Sequence, residues 1–317
     1  MHQFSIITPA FNRAKYLPRI YNCLCQQGDA DFEWIIVDDG STDETKQIIS
    51  SFKKTFELKY AYQENAGKPT AMNHGLQMAD SYISISLDSD DILYPHVLKN
   101  VWNCFDTKTG RFEQDCVCIA GLCQYERGNI VGKKFPSDNF ISDHIRCIKN
   151  RNIIGDKCLF YVTEILRRHP YPILKGEKHI APGIVHTRIA LQHKTMYVNQ
   201  VFIEKQFLHD GLSAKNYWVL NPQGAELYYN ETSVPPFRFS LQIRHSGEYI
   251  FFARMNRRKN IFFNSKNKPV FPLGILAYFI HCIKDFLKSF KSLRKINTII
   301  KAKNKEYNQN HHKIIKE

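Results

Sequence analysis

Hydrophobic and polar positions in the first hundred residues alternate between strand-like and helix-like patterns. Short apolar runs with strand character cover residues 4–9, 32–40, 58–63 and 81–87, and stretches with helical spacing separate them. Mostly continuous apolar runs are typical of strands that are buried on both faces of a parallel sheet. The pattern therefore predicts an α/β fold in which helices cover a mixed, mainly parallel, Rossmann-like sheet.

The pattern changes along the second half of the chain. Residues 112–135 predict a strand, a turn at "RGN" and a return strand, and residues 183–193 and 195–207 predict a helix and a further strand. After about residue 215 the chain is helical in pattern and rich in Phe and Tyr. We therefore expect an α/β domain over residues 1–215, with halves over 1–110 and 111–215, and a helical extension over 216–317.

Local signals predict where one helix starts. Ser41 is followed three residues later by Glu44, directly after the second strand. This spacing is that of a capping box, in which both side chains satisfy backbone N–H groups at a helix start. The sequence thus predicts that Ser41 is the N-cap of the second helix.

Acidic residues collect at the ends of two predicted strands. Asp38 and Asp39 follow one strand, and Asp88, Asp90 and Asp91 follow another. Helix caps and turns explain one or two such residues, since Asp is common there. Five acids at matching ends favour a ligand site, because ligands of open α/β sheets bind at the carboxyl ends of the strands. Crowded carboxylates also require a compensating positive charge.

Charge and cysteine content narrow the function classes. The net charge of +14 lies in residues 254–317, which carry 16 Lys and Arg against three acids, whereas residues 1–253 carry 28 basic and 27 acidic residues. No nucleic-acid-binding signature accompanies the basic tail, so we expect no nucleic-acid partner. The nine cysteines are irregularly spaced and predict buried free thiols. Residues 1–10 lack the features of a secretory signal, which predicts a cytoplasmic protein.

Three segments together resemble the family 2 glycosyltransferases of the GT-A fold. They are "SIITPAFNRAKYLPRIYNCLCQQ", "FEWIIVDDGSTDET" and "LDSDDILYP", in the order and spacing of that family. Later segments, "GDKCLFYVTEIL", "GEKHIAPGIVHTRIA" and "EKQFLHDGLSA", extend the resemblance to a bacterial branch associated with cell-surface polysaccharides, up to about residue 230. The resemblance implies a nucleotide-diphospho-sugar transferase whose nucleotide-sugar half is residues 1–110 and whose acceptor half is residues 111–215.

The resemblance also assigns roles to residues. Its DxD motif matches Asp88-Ser89-Asp90, with Asp91 adjoining, and implies bound Mg²⁺ or Mn²⁺, which hard oxygen ligands suit. Asp39, or its neighbour Asp38, matches the acid that binds the uracil ring. The positions that match other nucleotide-sugar contacts are Pro9, Ala10, Asn12, Arg13 and Lys68. His209 matches a late metal ligand of some GT-A enzymes, although a lone histidine is more often a satisfied polar residue.

One position departs from the family pattern. An inverting enzyme needs a general base that deprotonates the acceptor hydroxyl. Where related sequences are expected to have a proline–glutamate pair, this chain has Ala181-Pro182, and proline cannot take a proton. Glu177 is the nearest acid, and Asp156 and Asp210 are the alternatives. The resemblance thus implies an inverting transfer from a UDP-sugar to a hydroxyl of a polysaccharide or glycolipid, with a catalytically silent sugar-nucleotide-binding partner subunit as the alternative.

The tail has the pattern of a basic amphipathic helix over residues 273–300. Apolar side chains fall on one stripe, lysines lie beside or opposite it, and no run is long enough to span a bilayer. Such a helix suits an anionic membrane surface, which predicts a peripheral protein at the inner face of the cell membrane. The alternative is a helix docked on the α/β domain with a solvated basic face.

Overall fold

The computed structural model describes residues 1–53, 55–206 and 217–280 of the chain. Strands and helices alternate in its first half, and every element from residue 217 onward is helical. The predicted α/β fold with a helical C-terminal region is therefore confirmed. The predicted boundary at residue 215 falls in a gap between described residues and stays a prediction.

The strands have the following bounds: β1 His2–Ala10, β2 Phe32–Asp38, β3 Glu57–Tyr62, β4 Ser81–Ser86, β5 Asp91–Leu93, β6 Phe105–Asp106, β7 Arg111–Phe112, β8 Cys118–Tyr125, β9 Phe140–Ser142, β10 Lys157–Val162 and β11 Thr195–Lys205. The main sheet has the order β3-β2-β1-β4-β10-β8-β11-β5, and β9 pairs with β11. The first four strands are mutually parallel, and β10 is antiparallel to both of its neighbours. The sheet is thus mixed and mainly parallel, as predicted.

The α-helices have the following bounds: α1 Leu17–Leu24, α2 Thr45–Ser51, α3 Lys68–Met78, α4 Val97–Trp102, α5 Thr163–Arg168, α6 Gly183–Ala190, α7 Tyr217–Leu220, α8 Pro222–Thr232, α9 Phe239–Met255 and α10 Ile261–Asn264. Residues 271–280 form a further helical segment. A 3₁₀ turn covers Glu113–Asp115 and a π-helical turn covers Ile145–Asn150.

The hydrophobic pattern explains how the first four strands are packed. All seven residues of β2 are buried, and the central residues of β1 are buried too. Helix α3 lies against these two strands, and an added Cβ at Gly75 would stand 2.4 Å from a methyl group of Ile7. Glycine therefore lets α3 approach the sheet closely, and this contact fixes the start of α3 near the carboxyl ends of β1 and β2.

The predicted capping box at Ser41 is wrong. Helix α2 begins at Thr45, and the residue before it, Glu44, makes no side-chain cap. Asp43 competes for the helix start, because its carboxylate accepts hydrogen bonds from the backbone N–H and the hydroxyl of Thr45. The Ser41 hydroxyl instead accepts the backbone N–H of Asn12 at 2.9 Å, which joins the loops after β1 and β2.

The predicted return strand after "RGN" does not form. Ile130 makes only an isolated bridge to Gln124. At Gly132 the chain adopts a positive φ of 77° and packs against the backbone of Ile154 and Gly155, which leaves no room for a side chain. The chain therefore leaves the sheet at this point instead of returning along β8.

The C-terminal helices pack on the α/β part through apolar and polar contacts. Arg188 of α6 forms two hydrogen bonds, of 2.8 and 3.0 Å, to the carboxylate of Glu231 in α8. Asn150 donates a side-chain hydrogen bond to the carbonyl of Pro236. Within the described ranges no helix is both long and apolar enough to cross a membrane. Residues 281–300 of the predicted tail helix lie outside these ranges.

The cysteines in the described ranges are free thiols, as predicted, and most of them are buried. Burial raises the pKa of Cys116 to about 11 and that of Cys123 to about 12. These thiols are therefore protonated in the sheet core and behave as apolar side chains.

Candidate active site

The carboxyl ends of three adjacent parallel strands bring the predicted acids to one edge of the sheet. In the register, Ala10 of β1 lies opposite Asp38 of β2, and Ile7 of β1 lies opposite Ser86 of β4. The backbone N–H of Leu87 also bonds to the carbonyl of Ile7. The loops that start at residues 11, 39 and 87 therefore share this edge.

Asp38 is buried, and each of its carboxylate oxygens accepts a hydrogen bond from within the protein. Its carboxylate accepts the backbone N–H of Ser41 at 2.8 Å and the hydroxyl of Tyr60 at 2.9 Å, and only 1% of the residue is exposed. Burial and the neighbouring Asp38 charge raise the pKa of Tyr60 to about 12, so this tyrosine stays a donor. Asp38 thus fixes the loop after β2.

Asp39 organises the loop that leads into α3. One carboxylate oxygen accepts hydrogen bonds from the side-chain amide of Gln63 and the backbone N–H of Ala66, and the other accepts the N–H of Gly67, each at 2.8 Å. Two carboxylate oxygens have about four acceptor positions. Asp39 therefore keeps acceptor capacity after these three bonds.

Gly67 allows a later segment to cross over this loop. Its φ is +94°, and an added Cβ would stand 2.2 Å from the carbonyl oxygen of Lys178. Only glycine adopts this conformation without strain and leaves room for the crossing backbone. The 176–181 segment is thereby held against the start of α3, beside Lys68.

The loop after β1 is locked to the loop after β2. Asn12 has a positive φ of 55°, and its side-chain oxygen accepts the backbone N–H of Thr42 at 2.8 Å. The backbone N–H of Arg13 bonds to the hydroxyl of Thr45. The carbonyl of Ala10, which follows the partly buried Pro9, accepts the N–H of Asp39 at 2.7 Å. These bonds hold the four predicted residues at the site edge, next to Asp39.

Asp88 is paired with a lysine that the sequence also places at the site. Lys68 donates to one carboxylate oxygen of Asp88 at 2.5 Å. Burial alone would raise the pKa of Asp88, but the charges of Lys68 and Lys205, with a smaller effect from Arg13, hold it below the usual range. Asp88 is therefore ionised in the folded protein.

Asp91 faces away from this pair toward a second lysine. Lys205, the last residue of β11, lies 2.9 Å from the carboxylate of Asp91 and 3.5 Å from that of Asp156. Burial would lower the pKa of Lys205, but the charges of Asp91, Asp88 and Asp156 raise it. Asp91 thus forms a buried ion pair that ties β5 to β11. Sequence reasoning assigned no role to Lys205, although it stands in the segment "EKQFLHDGLSA".

Asp90 lies between these two pairs. Part of the residue is exposed in a cleft lined by Tyr16, Arg19, Ser89, Asp90, Asp91, Ile92 and Gln206. Burial and the charge of Asp88 raise its pKa. In the described part of the chain, no side chain makes an ion pair or hydrogen bond with this carboxylate. Within these ranges, Asp90 is therefore the acid of the cluster whose carboxylate oxygens remain open to a ligand.

The donor set suits a hard divalent cation. Mg²⁺ and Mn²⁺ bind to oxygen ligands, and Mg²⁺ commonly uses one or two carboxylates together with substrate phosphates and water. Asp90 and the second oxygen of Asp88 provide two such carboxylates. Asp91 is committed to Lys205. Among described residues, the atoms that form a tight group of three possible ligands belong instead to His2, Glu33 and Glu57, at the opposite end of the strands.

Two of the three acids considered for proton transfer, Glu177 and Asp156, lie in the described ranges and have different surroundings. The carboxylate of Glu177 accepts the backbone N–H groups of Gln223 at 2.6 Å and Gly224 at 2.7 Å, at the start of α8. The side chain of Asp156 is 67% exposed, and Lys205 is its one ion-pair partner among the residues that the structure describes. Pro182 is the N-cap residue of α6. His209 and Asp210 lie outside the described residues.

His179 is a neighbour of the site that the sequence did not reveal. Its backbone N–H bonds to the side-chain oxygen of Asn221 at 3.2 Å, so the start of α8 positions it. Burial and the charge of Lys68 lower its pKa to about 4, with Asp88 acting in the opposite direction. A neutral imidazole therefore stands beside the Lys68–Asp88 pair.

Part of the chain is similar in sequence to known glycosyltransferases. A family model described as "Glycosyl transferase family 2" matches residues 5–155. An uncharacterized glycosyltransferase of Nostoc is 35% identical over 107 residues, 33% of each chain. The poly(ribitol-phosphate) beta-N-acetylglucosaminyltransferase TarS of Staphylococcus aureus is 36% identical over 104 residues, 32% of this chain and 18% of TarS. The alignments thus span a third or less of these relatives.

Solved structures show the same fold at lower sequence identity. Residues 1–349 of S. aureus TarS, crystallised in complex with UDP-GlcNAc, superpose with a TM-score of 0.58 and 19% identity, over 87% of this chain and 79% of that chain. This similarity extends the shared fold past the sequence match, into the helical region. This chain therefore has the GT-A fold, and its residues 5–155 match the family model of the glycosyl transferase family 2.

Proposed function

We propose that this protein is an inverting, metal-dependent glycosyltransferase that moves a sugar from a UDP-sugar to a hydroxyl of a glycan or lipid-linked glycan. The observation that carries the proposal is the position of Asp39, with spare acceptor capacity, at the same sheet edge as the Asp88–Asp90 pair. Asp39 would accept a hydrogen bond from the base of a nucleotide, and the Asp88–Asp90 pair would hold a metal ion on the diphosphate of that nucleotide.

The metal site of the proposal consists of Asp88 and Asp90. A divalent cation bound there would neutralise charge on the departing diphosphate. Lys68 already lies at 2.5 Å from Asp88, so its ammonium group would be within reach of a diphosphate on a cation held by Asp88 and Asp90. Arg13 adds positive charge on this side. Its charge acts to lower the pKa of both Asp88 and Asp90, although at Asp90 burial and the charge of Asp88 outweigh it.

The nucleotide site of the proposal consists of the loops after β1 and β2. Asp39 would accept the ring N–H of uracil, while Pro9, Ala10 and Asn12 line the same edge. The relatives support a uridine nucleotide, because the TarS fragment of the same fold was crystallised with UDP-GlcNAc and with UDP. A validoxylamine A glucosyltransferase of Streptomyces hygroscopicus, 34% identical over 101 residues, is a further glycosyltransferase among them.

Of the two candidate bases that the structure describes, Asp156 has the surroundings that a base requires. Both oxygens of Glu177 accept hydrogen bonds from the N–H groups at the start of α8. If Glu177 took a proton from an acceptor instead, these N–H donors would lose their partner. Asp156 is exposed, and Lys205 connects it to Asp91 beside the metal site. We therefore assign the base role to Asp156 and a capping role to Glu177.

The test is the release of UDP from a panel of UDP-sugars, with Mn²⁺ or Mg²⁺ and with a chelator. Metal-dependent turnover of at least one sugar supports the proposal, and Asp156→Asn should then remove the acidic limb of the pH–rate profile, whereas Glu177→Gln should lower thermal stability. Metal-dependent UDP binding without turnover of any donor would instead favour a silent sugar-nucleotide-binding subunit, the reading that Pro182 suggests.

A further inference from the structure

The helical segment over residues 271–280 is apolar on all sides. Its sequence, "FPLGILAYFI", contains no charged residue and one tyrosine hydroxyl. One face packs on α9, where added Cβ atoms at Gly274 and Gly247 would stand 2.6 Å from Ser246 and 2.8 Å from Ala277. A helix that is hydrophobic all round is normally buried on every face. Here the packing on α9 covers only one of them.

The opposite face of this segment is exposed. Its large apolar side chains reach solvent with these exposed fractions: Leu273 43%, Ile275 40%, Leu276 61%, Phe279 56% and Ile280 45%. Isolated exposed apolar residues are ordinary, but contiguous exposed apolar patches mark interaction surfaces.

A second exposed apolar group continues this face. In α10, Phe263 is 71% exposed and Phe262 is 42% exposed. The ring of Phe262 packs edge-on against Phe271, the first residue of the helical segment, with centroids 5.2 Å apart. The two phenylalanines and the outer face of residues 271–280 therefore adjoin each other, and we call them together the apolar face.

Positive charge surrounds the apolar face. Residues 254–268 contain six Lys and Arg and no acid. Two of the six are neutralised internally, because Arg258 pairs with Glu226 at 3.0 Å and Lys266 lies 3.7 Å from Glu231. Arg257, Lys259 and Lys268 are exposed, and among the described residues none of these three forms an ion pair.

We propose that the apolar face and its surrounding cations form a docking surface for an anionic lipid bilayer. Phenylalanine and leucine side chains next to Lys and Arg suit the boundary between headgroups and acyl chains, where apolar contact and attraction to anionic lipids add. A second protein copy would bring the same unneutralised cations to the interface, so like charges would oppose such a dimer. The surface goes beyond the proposed function, and it would bring the protein to the membrane in which a lipid-linked acceptor lies.

The test is co-sedimentation of the full-length protein with vesicles. Vesicles of phosphatidylglycerol and phosphatidylcholine should bind the protein at low salt. Pure phosphatidylcholine vesicles should bind it at least about tenfold more weakly, because each Lys or Arg near an anionic surface contributes to binding. Phe262→Ser/Phe263→Ser and Leu276→Ser/Phe279→Ser should each reduce binding to the anionic vesicles by about tenfold or more, since apolar area is lost from the interface.

Phe239→Ser provides the matched control. Phe239 is 59% exposed at the opposite end of α9, about 22 Å along the helix axis from Arg254. This variant should bind vesicles as the unaltered protein does. UDP binding is measured on every variant, so that a failure of the sugar-nucleotide site is seen separately from a failure of the docking surface.

Three outcomes would overturn the inference. The first is unchanged vesicle binding by both double variants, which would assign membrane binding to the basic residues after 280 alone. The second is equal binding to neutral and anionic vesicles. The third is a dimer of the unaltered protein, seen by sedimentation velocity, that the double variants dissociate, which would make a second copy the occupant of the apolar face.

Discussion

The side chains of Lys68 and Asp88, twenty positions apart in the chain, are joined by an ion pair of 2.5 Å at the carboxyl edge of the sheet. Lys68 is the first residue of α3, and Asp88 follows β4. The lysine occupies an oxygen of a carboxylate that we assign to the metal. Lys68 and the metal therefore compete for Asp88 until a diphosphate offers the lysine another anion.

This competition predicts opposite effects of Lys68→Met on metal and donor. Binding of Mn²⁺ alone should tighten by up to about fivefold, because a partly exposed pair is worth up to about 1 kcal/mol. Binding of a UDP-sugar with Mn²⁺ should weaken by about 10- to 100-fold, since a hydrogen bond to a charged group is lost. Isothermal titration calorimetry measures both affinities. Lys46→Met, an exposed lysine of α2, is the control and should change neither. Weaker binding of the metal alone would contradict the competition.

Asp90→Asn should separate the metal site from the stability of the fold. The variant should lose metal-dependent UDP binding and at least about 100-fold in transfer, because a metal ligand contributes several kcal/mol to the stabilisation of charge. Burial and the Asp88 charge both raise the pKa of Asp90, so loss of its charge should leave the stability of the metal-free protein unchanged or increased. Thermal melting with a chelator measures this stability. Asp29→Asn, at an exposed acid, should behave as the unaltered protein. Unchanged turnover by Asp90→Asn would remove the metal assignment.

Asp39→Ala should reduce selectivity for uracil. UDP affinity should fall by about 1 to 3 kcal/mol, because the base is left without its acceptor. The variant also frees the N–H groups of Ala66 and Gly67, and a loosened loop would weaken every nucleoside diphosphate alike. The informative measurement is therefore the ratio of UDP to ADP affinity. A lower UDP affinity at a constant ratio would show that Asp39 only shapes the loop.

The first hundred residues were predictable because their structure follows from local patterns. The apolar runs of β1, β2 and β4 are buried strands, and their parallel order places Asp39 and Asp88 at one edge as expected. The predicted capping box was wrong for a local reason, because the carboxylate of Asp43 accepts the backbone N–H of Thr45 at the start of α2.

The partners of the acids were not predictable, because they come from distant parts of the chain. Lys205 lies 114 positions after Asp91, and the amides that occupy Glu177 lie 46 and 47 positions after it. Hydrophobic periodicity does not encode such pairings, so the sequence ranked Glu177 and Asp156 by distance from Pro182 alone. Their different surroundings became visible only with α8 in place.

A cluster of ionisable side chains at the end of the sheet opposite the candidate active site should make the stability of the protein depend on pH. His2 bonds to the carboxylates of Asp31 at 2.6 Å and Glu57 at 2.8 Å. The hydrogen bond to Asp31 and then the one to Glu57 raise the pKa of His2 above 6.5, although burial acts in the opposite direction. The hydrogen bond to His2 lowers the pKa of Glu57 below 4.5, again in opposition to burial. The contribution of His2 to the free energy of unfolding is therefore complete below about pH 6.5 and is lost as pH rises through the raised pKa. The contribution of Glu57 is lost as pH falls through its lowered pKa.

His2→Gln should remove the part of this profile that disappears on the alkaline side. Urea unfolding of both proteins at about pH 5.5 and at about pH 9 should show a stability difference at the lower pH that shrinks at the higher one. The ligand atoms of His2, Glu33 and Glu57 lie within 4.8 Å of one another, but Lys59 pairs with Glu33 at 2.5 Å and places a positive charge among them. A chelator should therefore leave the difference unchanged. Equal pH dependence of the two proteins, or a difference that the chelator removes, would contradict the ion-pair interpretation of this cluster.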